Sequence, residues 1–173
     1  MRWSLTQLKK KTRSRKDLKL LKAKVLDILG GSSVRVGSHR YQTHRLADGR
    51  IINVKYSRPH RDYYWFGIHA SLWNDCLKSG VTHMVFILGQ HGFVMVPAAV
   101  VKDYLAEAGV SPKADGTVRH YHLLISKEPK LDLFHYGKAR RVPLESFLTP
   151  FGDARPELSW RIERRNSGEL STG

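Results

Sequence analysis

Met84-Val85-Phe86-Ile87-Leu88 is a run of five apolar residues with no polar alternation, the pattern of a strand buried on both faces. Such a strand needs a covering layer above and below it, and its flanks supply candidates. Upstream, Ser71 to Ser79 reads as a short helix with Leu72, Trp73, Cys76 and Leu77 turned inward and Gly80 closing it. Downstream, Gly89-Gln90-His91-Gly92 turns the chain into a strand over Phe93 to Val96. Pro97 then opens a helix running to Ala108, with Val100, Val101, Tyr104, Leu105 and Ala108 on one side and Gly109 as its stop. The expected class is α/β, a mixed sheet flanked by helices.

Further out, Arg40 to Leu46 and Arg50 to Ser57 are β-like runs joined by Asp48-Gly49, a hairpin turn signal. A two-residue turn there sets Leu46 opposite Ile51, His44 opposite Asn53 and Gln42 opposite Lys55, all on one face. The other face then carries Tyr41, Thr43, Ile52, Val54 and Tyr56. Tyr63 to Ile68 and Val118 to Ile125 read as two more strands, Val110 to Thr117 as a polar loop, Lys127 to Arg141 as irregular and Pro143 to Leu148 as a helical turn. The domain spans 32–151, between a basic helical arm (1–31) and a polar tail without periodicity (152–173) that reads as poorly ordered.

Charge narrows the partner. Thirty Lys and Arg against fifteen Asp and Glu leave a net +15 over 173 residues, which calls for a polyanion. Residues 1–24 hold ten of those basic residues and the single acid Asp17, a local net of +9. Ser14-Arg15-Lys16-Asp17 reads as a capping box, after which Leu18, Leu21, Val25, Ile28 and Leu29 recur at helical spacing until Gly30-Gly31. One face is apolar, and the other is lined with cations suited to phosphates: Lys9, Lys10, Lys11, Arg13, Arg15, Lys16 and Lys19. The arm's composition also fits a mitochondrial presequence, but no apolar secretory core follows Met1. No run is long enough to span a bilayer, because Gly89 to Gly92 and Pro97 interrupt the best one. One cysteine, Cys76, excludes an internal disulfide and a cysteine-held zinc, consistent with an intracellular setting, cytoplasmic or nucleoid-associated. Without a glycine-rich phosphate loop after any strand, a nucleotide-driven enzyme is disfavoured.

Ile51-Ile52-Asn53-Val54-Lys55-Tyr56-Ser57 resembles the strand that carries an acid, any residue, then lysine in the PD-(D/E)XK nuclease-like superfamily. The resemblance covers roughly residues 34–125, where the order and length of the later strands and helix are also similar. It implies DNA as substrate, a restriction or homing endonuclease as activity, and magnesium held by acids beside the lysine. Lys55 matches the lysine, Asn53 stands at the acid position, and Gln42 and His44 stand where the partner strand's aspartate belongs. An amide is a poor ligand for a hard cation, so an active enzyme needs acids from elsewhere, such as Asp62, Glu128 or Asp132. The alternative is a core that has kept binding and lost cutting.

Arg58, His60 and Arg61 precede the aromatic run Tyr63-Tyr64-Trp65-Phe66. Alternation turns half of those rings to the core and leaves the other half able to stack on unpaired bases or wedge a duplex, unless both faces of the sheet are covered and all four pack. Among nine histidines, His120 and His122 share one strand face, a spacing that binds zinc or copper only if a third ligand converges; His44, His60 and His69 are candidate general bases. Lys138 to Arg141 and Arg161 to Arg165 add basic clusters. The combined expectation is a DNA-binding protein with a degenerate nuclease-like site, with an active magnesium-dependent endonuclease and an RNA-binding protein as alternatives.

Overall fold

Between Leu5 and Leu29 the chain contains no glycine or proline, and leucine, lysine, arginine and glutamine are good helix formers. In a computed structural model, which describes residues 5–30, 34–36, 43–59, 62–127 and 130–152, the first helix accordingly runs over the whole stretch, α1 (Leu5–Gly30). The backbone of Ser14 therefore lies inside the helix and not at its start, because local propensity upstream outweighs the capping signal. Gly30, at φ 147°, ends it. Leu21 and Val25 are buried one turn apart, Leu26 and Leu29 pack beside them, and Leu20 and Ile28 face outward.

Next come β1 (Val34–Arg35), β2 (Thr43–Arg45), β3 (Ile51–Tyr56), β4 (Arg58–Pro59), β5 (Tyr63–His69), α2 (Ala70–Lys78), β6 (His83–Ile87) and β7 (Gly92–Pro97). They are followed by α3 (Ala98–Leu105), β8 (Val110–Pro112), β9 (Val118–Ser126), β10 (Asp132–Phe134), β11 (Arg141–Pro143) and β12 (Leu148–Pro150). The first sheet has the order β1-β2-β3-β6-β7-β12, and it is mixed, β3 pairing β6 in parallel while its neighbours are antiparallel. No described helix is long and apolar enough to cross a membrane.

The chain is α/β with a mixed sheet flanked by helices, and the Met84 to Leu88 run is buried on both faces as read. Leu21 and Val25 of α1 cover one face over Ile52, Val54, Val85, Ile87 and Phe93. The other face meets α2, α3 and a second sheet of order β11-β10-β9-β5-β4, with β8 beside β9. The strands expected at Tyr63 to Ile68 and Val118 to Ile125 thus pair with each other rather than joining the first sheet. The stretches read as loop or irregular hold β8, β10 and β11, three residues each. Strands that short carry no readable period and form because β9 and β10 offer them a paired edge. Leu77, expected inward, is exposed. Residues 153–173 lie outside the described residues, so the expected disorder of the tail has no counterpart here.

The hairpin exists, but its register differs by one from expectation. The Leu46 N–H donates to the Arg50 carbonyl at 2.9 Å and the Gly49 N–H to the Leu46 carbonyl at 3.0 Å, closing a loop over Ala47, Asp48 and Gly49 with Gly49 at φ 86°. A glycine in this left-handed conformation is the bulge position of a three-residue hairpin loop. The Asp48 carboxylate braces it, accepting from the Arg50 N–H at 3.0 Å and pairing with its guanidinium at 2.5 Å. Thr43 consequently stands opposite Asn53 and His44 opposite Ile52. A one-residue slip exchanges the faces of a strand: His44 faces α1, whereas Asn53 and Lys55 face the second sheet and α2.

Candidate nucleic-acid interface

The expected convergence of His44, Asn53 and Lys55 on one face is therefore corrected, and each residue acquires surroundings of its own. Asn53 is buried and donates its Nδ2 to Thr43 Oγ1 at 2.9 Å. It is a cross-strand structural amide. Lys55 is held between the layers beside the Cys76 thiol. Burial lowers its pKa and pushes that of Cys76 up to about 11. No carboxylate among the described residues bears on the Lys55 charge, and Asp132 is turned to Arg141 at 3.6 Å. Asp62 is exposed before β5, and Glu128 lies outside the described residues. Magnesium does not fit this place: it asks for several carboxylate oxygens, and the residues present are an amide offering one neutral, buried oxygen, an ammonium and a thiol.

A different grouping appears where α1 crosses the hairpin. His44, 7% exposed, has Arg35 as its cross-strand partner on β1, and Lys22 of α1 lies over both. Burial first, then Lys22 and Arg35, push His44 down to about 4, and Lys22 is itself lowered by burial and by Arg35. Two cations and a neutral imidazole are gathered at one seam, with Lys19 and Lys24 exposed on the adjoining surface of the helix. An anion seated there would be attracted by Lys22 and Arg35. Sequence reasoning missed this grouping because the expected register put His44 on the wrong face.

Stability should report the seam. His44 is neutral when folded and has an ordinary pKa of 6.5 when unfolded, so the unfolded chain binds more protons between those values. Stability is full above pH 6.5 and falls as the pH drops towards 4, by at most roughly 3 kcal/mol for this group. Urea titrations from pH 7 to 4 should show the decline, and His44→Gln should lose the larger part of it. An unchanged slope in that variant would place the effect on other histidines.

On the outer face of the second sheet, Trp65 is 37% exposed and Tyr136 66%, while Tyr64 and Phe66 are buried in the core. Half of the aromatic run is thus turned outward. The His120 Nε2 lies 3.0 Å from the His69 Nε2 across the β5–β9 pair, and His122 Nε2 lies 2.7 Å from Ser111 Oγ. The His120 and His122 spacing therefore yields a cross-strand imidazole pair and a hydroxyl contact. No group of three metal-binding side chains occurs among the described residues.

Of the phosphate-binding candidates, Lys9, Lys10, Lys11, Arg13, Arg15 and Lys16 have their backbones in α1 and their side chains outside the described residues; Lys19 is exposed on the same helix. Arg58 is placed by its backbone in β4, and Gln42, His60 and Arg61 lie outside the described residues. Comparison with protein-family models, curated proteins and solved structures finds no match to this chain.

Proposed function

We propose that the protein binds duplex DNA through the basic surface of α1 and the seam beneath it, on a nuclease-like core that does not cut. The observation that carries this reading is the placing of Lys22 beside Arg35 at the seam of a helix whose other cations, Lys19 and Lys24 among them, extend the same charge. An anion is attracted to that concentration of positive charge, and a phosphodiester backbone is a partner of the right sign and periodicity. The surroundings of Lys55, a buried thiol and an amide in place of carboxylates, support binding over hydrolysis.

Supercoiled plasmid on a native gel tests both halves. Retardation that weakens steeply with salt, with the plasmid left intact in the presence of magnesium and with Lys55→Met behaving as the wild type, is the expected result. Relaxed or linear product that requires magnesium and vanishes in Lys55→Met would overturn the non-cutting half. Absence of retardation at low salt would overturn DNA binding, and competition by structured RNA would then test that alternative polyanion.

A further inference from the structure

One row runs straight across the outer face of the second sheet. Arg141 on β11 is paired with Phe134 on β10, Phe134 with Leu124 on β9, and Leu124 with Trp65 on β5. Directly paired residues of antiparallel strands share a face. From Arg141 to Trp65 the row therefore reads cation, ring, aliphatic floor, ring. Leu124 is 5% exposed between the two rings, and the Arg141 guanidinium lies over the Phe134 ring at 5.4 Å.

The indole of Trp65 lies down on this face. A methyl group placed on Gly67 would come within 2.9 Å of Trp65 Cη2 and 3.4 Å of Cζ2, so the six-membered ring rests on the only β5 position without a side chain. His122, with ring centres 5.7 Å apart, meets it edge-on and fixes its lateral position. One flat side of the indole is thereby seated on backbone, and the other is presented outward. Tyr63, Phe134 and Tyr136 form an edge-to-face cluster next to it, with centres 5.6 to 6.2 Å apart.

We propose that this face stacks unpaired bases of single-stranded DNA, with Trp65 as the principal platform and Arg141 at the end of the row taking a flanking phosphate. The inference deepens the DNA-binding reading and rests on it. A flat aromatic face accepts any base, because every base has a π-face. A duplex has no such face to offer, since its bases remain stacked at about 3.4 Å, whereas the two rings of the row stand two strands, about 10 Å, apart. That separation suits a strand whose bases have been splayed from one another. The cationic Arg141 end and a net charge of +15 select a polyanion over an apolar partner for these rings.

The test is fluorescence anisotropy at one fixed salt concentration with two labelled probes, a single-stranded oligothymidylate and a blunt duplex. Trp65→Ala should weaken oligothymidylate binding roughly tenfold or more and Trp65→Phe far less, with duplex affinity held within about twofold. Gly67→Ala should weaken the same probe without removing the ring, because its methyl group lifts the indole from its seat. Wild-type affinity for oligothymidylate in Trp65→Ala, or equal losses on both probes, would overturn the platform. Wild-type protein that binds the duplex and ignores oligothymidylate would overturn the platform and leave the duplex reading intact. The reverse would overturn the duplex reading alone, and failure with both probes would remove both.

Discussion

Phe86→Ala is expected to lower the free energy of unfolding by about 3–5 kcal/mol, read as a fall in urea midpoint with an unchanged slope. Phe86 is fully buried on β6, on the side facing the second sheet, and meets Phe66 of β5 edge-to-face with centres 4.9 Å apart. The two rings join the sheets at their midline, and truncating one leaves a cavity that neither sheet can close without leaving its own strand pairings. The edge-to-face pairing itself contributes about 0.5–1.5 kcal/mol of the loss. Against a total of roughly 5–15 kcal/mol for a domain, the variant should be marginal at 37 °C. Phe86→Leu, which conserves more of the volume, should cost less than half as much. Trp65→Ala, outside this seam, should leave the midpoint almost unmoved. A loss below about 1.5 kcal/mol for Phe86→Ala would mean that the sheets adjust around the gap.

Replacing Lys9, Lys10, Lys11, Arg13, Arg15 and Lys16 together by glutamine should weaken duplex DNA binding at low salt by at least about 100-fold and reduce the slope of log affinity against log salt by up to about 5. Glutamine keeps helix propensity close to that of lysine and arginine, so α1 should persist and circular dichroism should barely change. The slope is the more telling reading, because each phosphate contact releases about 0.9 counterion. A weakened complex with an unchanged slope would mean that these residues act on the fold or the approach and do not touch phosphates. Neutralising only Lys22, at the seam, should change the slope by no more than about 1.

What the sequence made legible follows the length of the pattern. The double-faced burial of Met84 to Leu88, the helix after Pro97 and the inward positions Leu72, Trp73 and Cys76 are each spelled by several residues in period. The second sheet was not legible, since β8, β10 and β11 are too short to show alternation and exist through their partners. The site suffered from a single residue: Asp48-Gly49 signals a tight turn, but the loop takes in Ala47 as well, and every facing assignment in the hairpin reverses with it. A three-residue loop with a terminal glycine in the left-handed region also fits Ala47-Asp48-Gly49, and weighing it would have separated His44 from Lys55. The Trp65 platform was legible in part, through alternation in Tyr63 to Phe66. That Gly67 seats its ring depends on how the indole lies along β5, which no periodicity encodes.

The parallel pairing of β3 with β6 governs how the chain can reach this state. Between Tyr56 and His83, neighbours of the same ladder by sheet order, the polypeptide leaves to build β4, β5 and α2, and β5 must then wait for β9, whose partner residues run from His120 to Ser126. Both sheets are thus closed by contacts distant along the sequence, the arrangement that slows folding to the millisecond-to-second range. A ribosome must release most of the chain before β5 acquires its partner. Until then the apolar side of β5, Tyr64, Phe66 and Ile68, has only part of its final cover, which makes that strand the point at which a nascent chain is most exposed to aggregation.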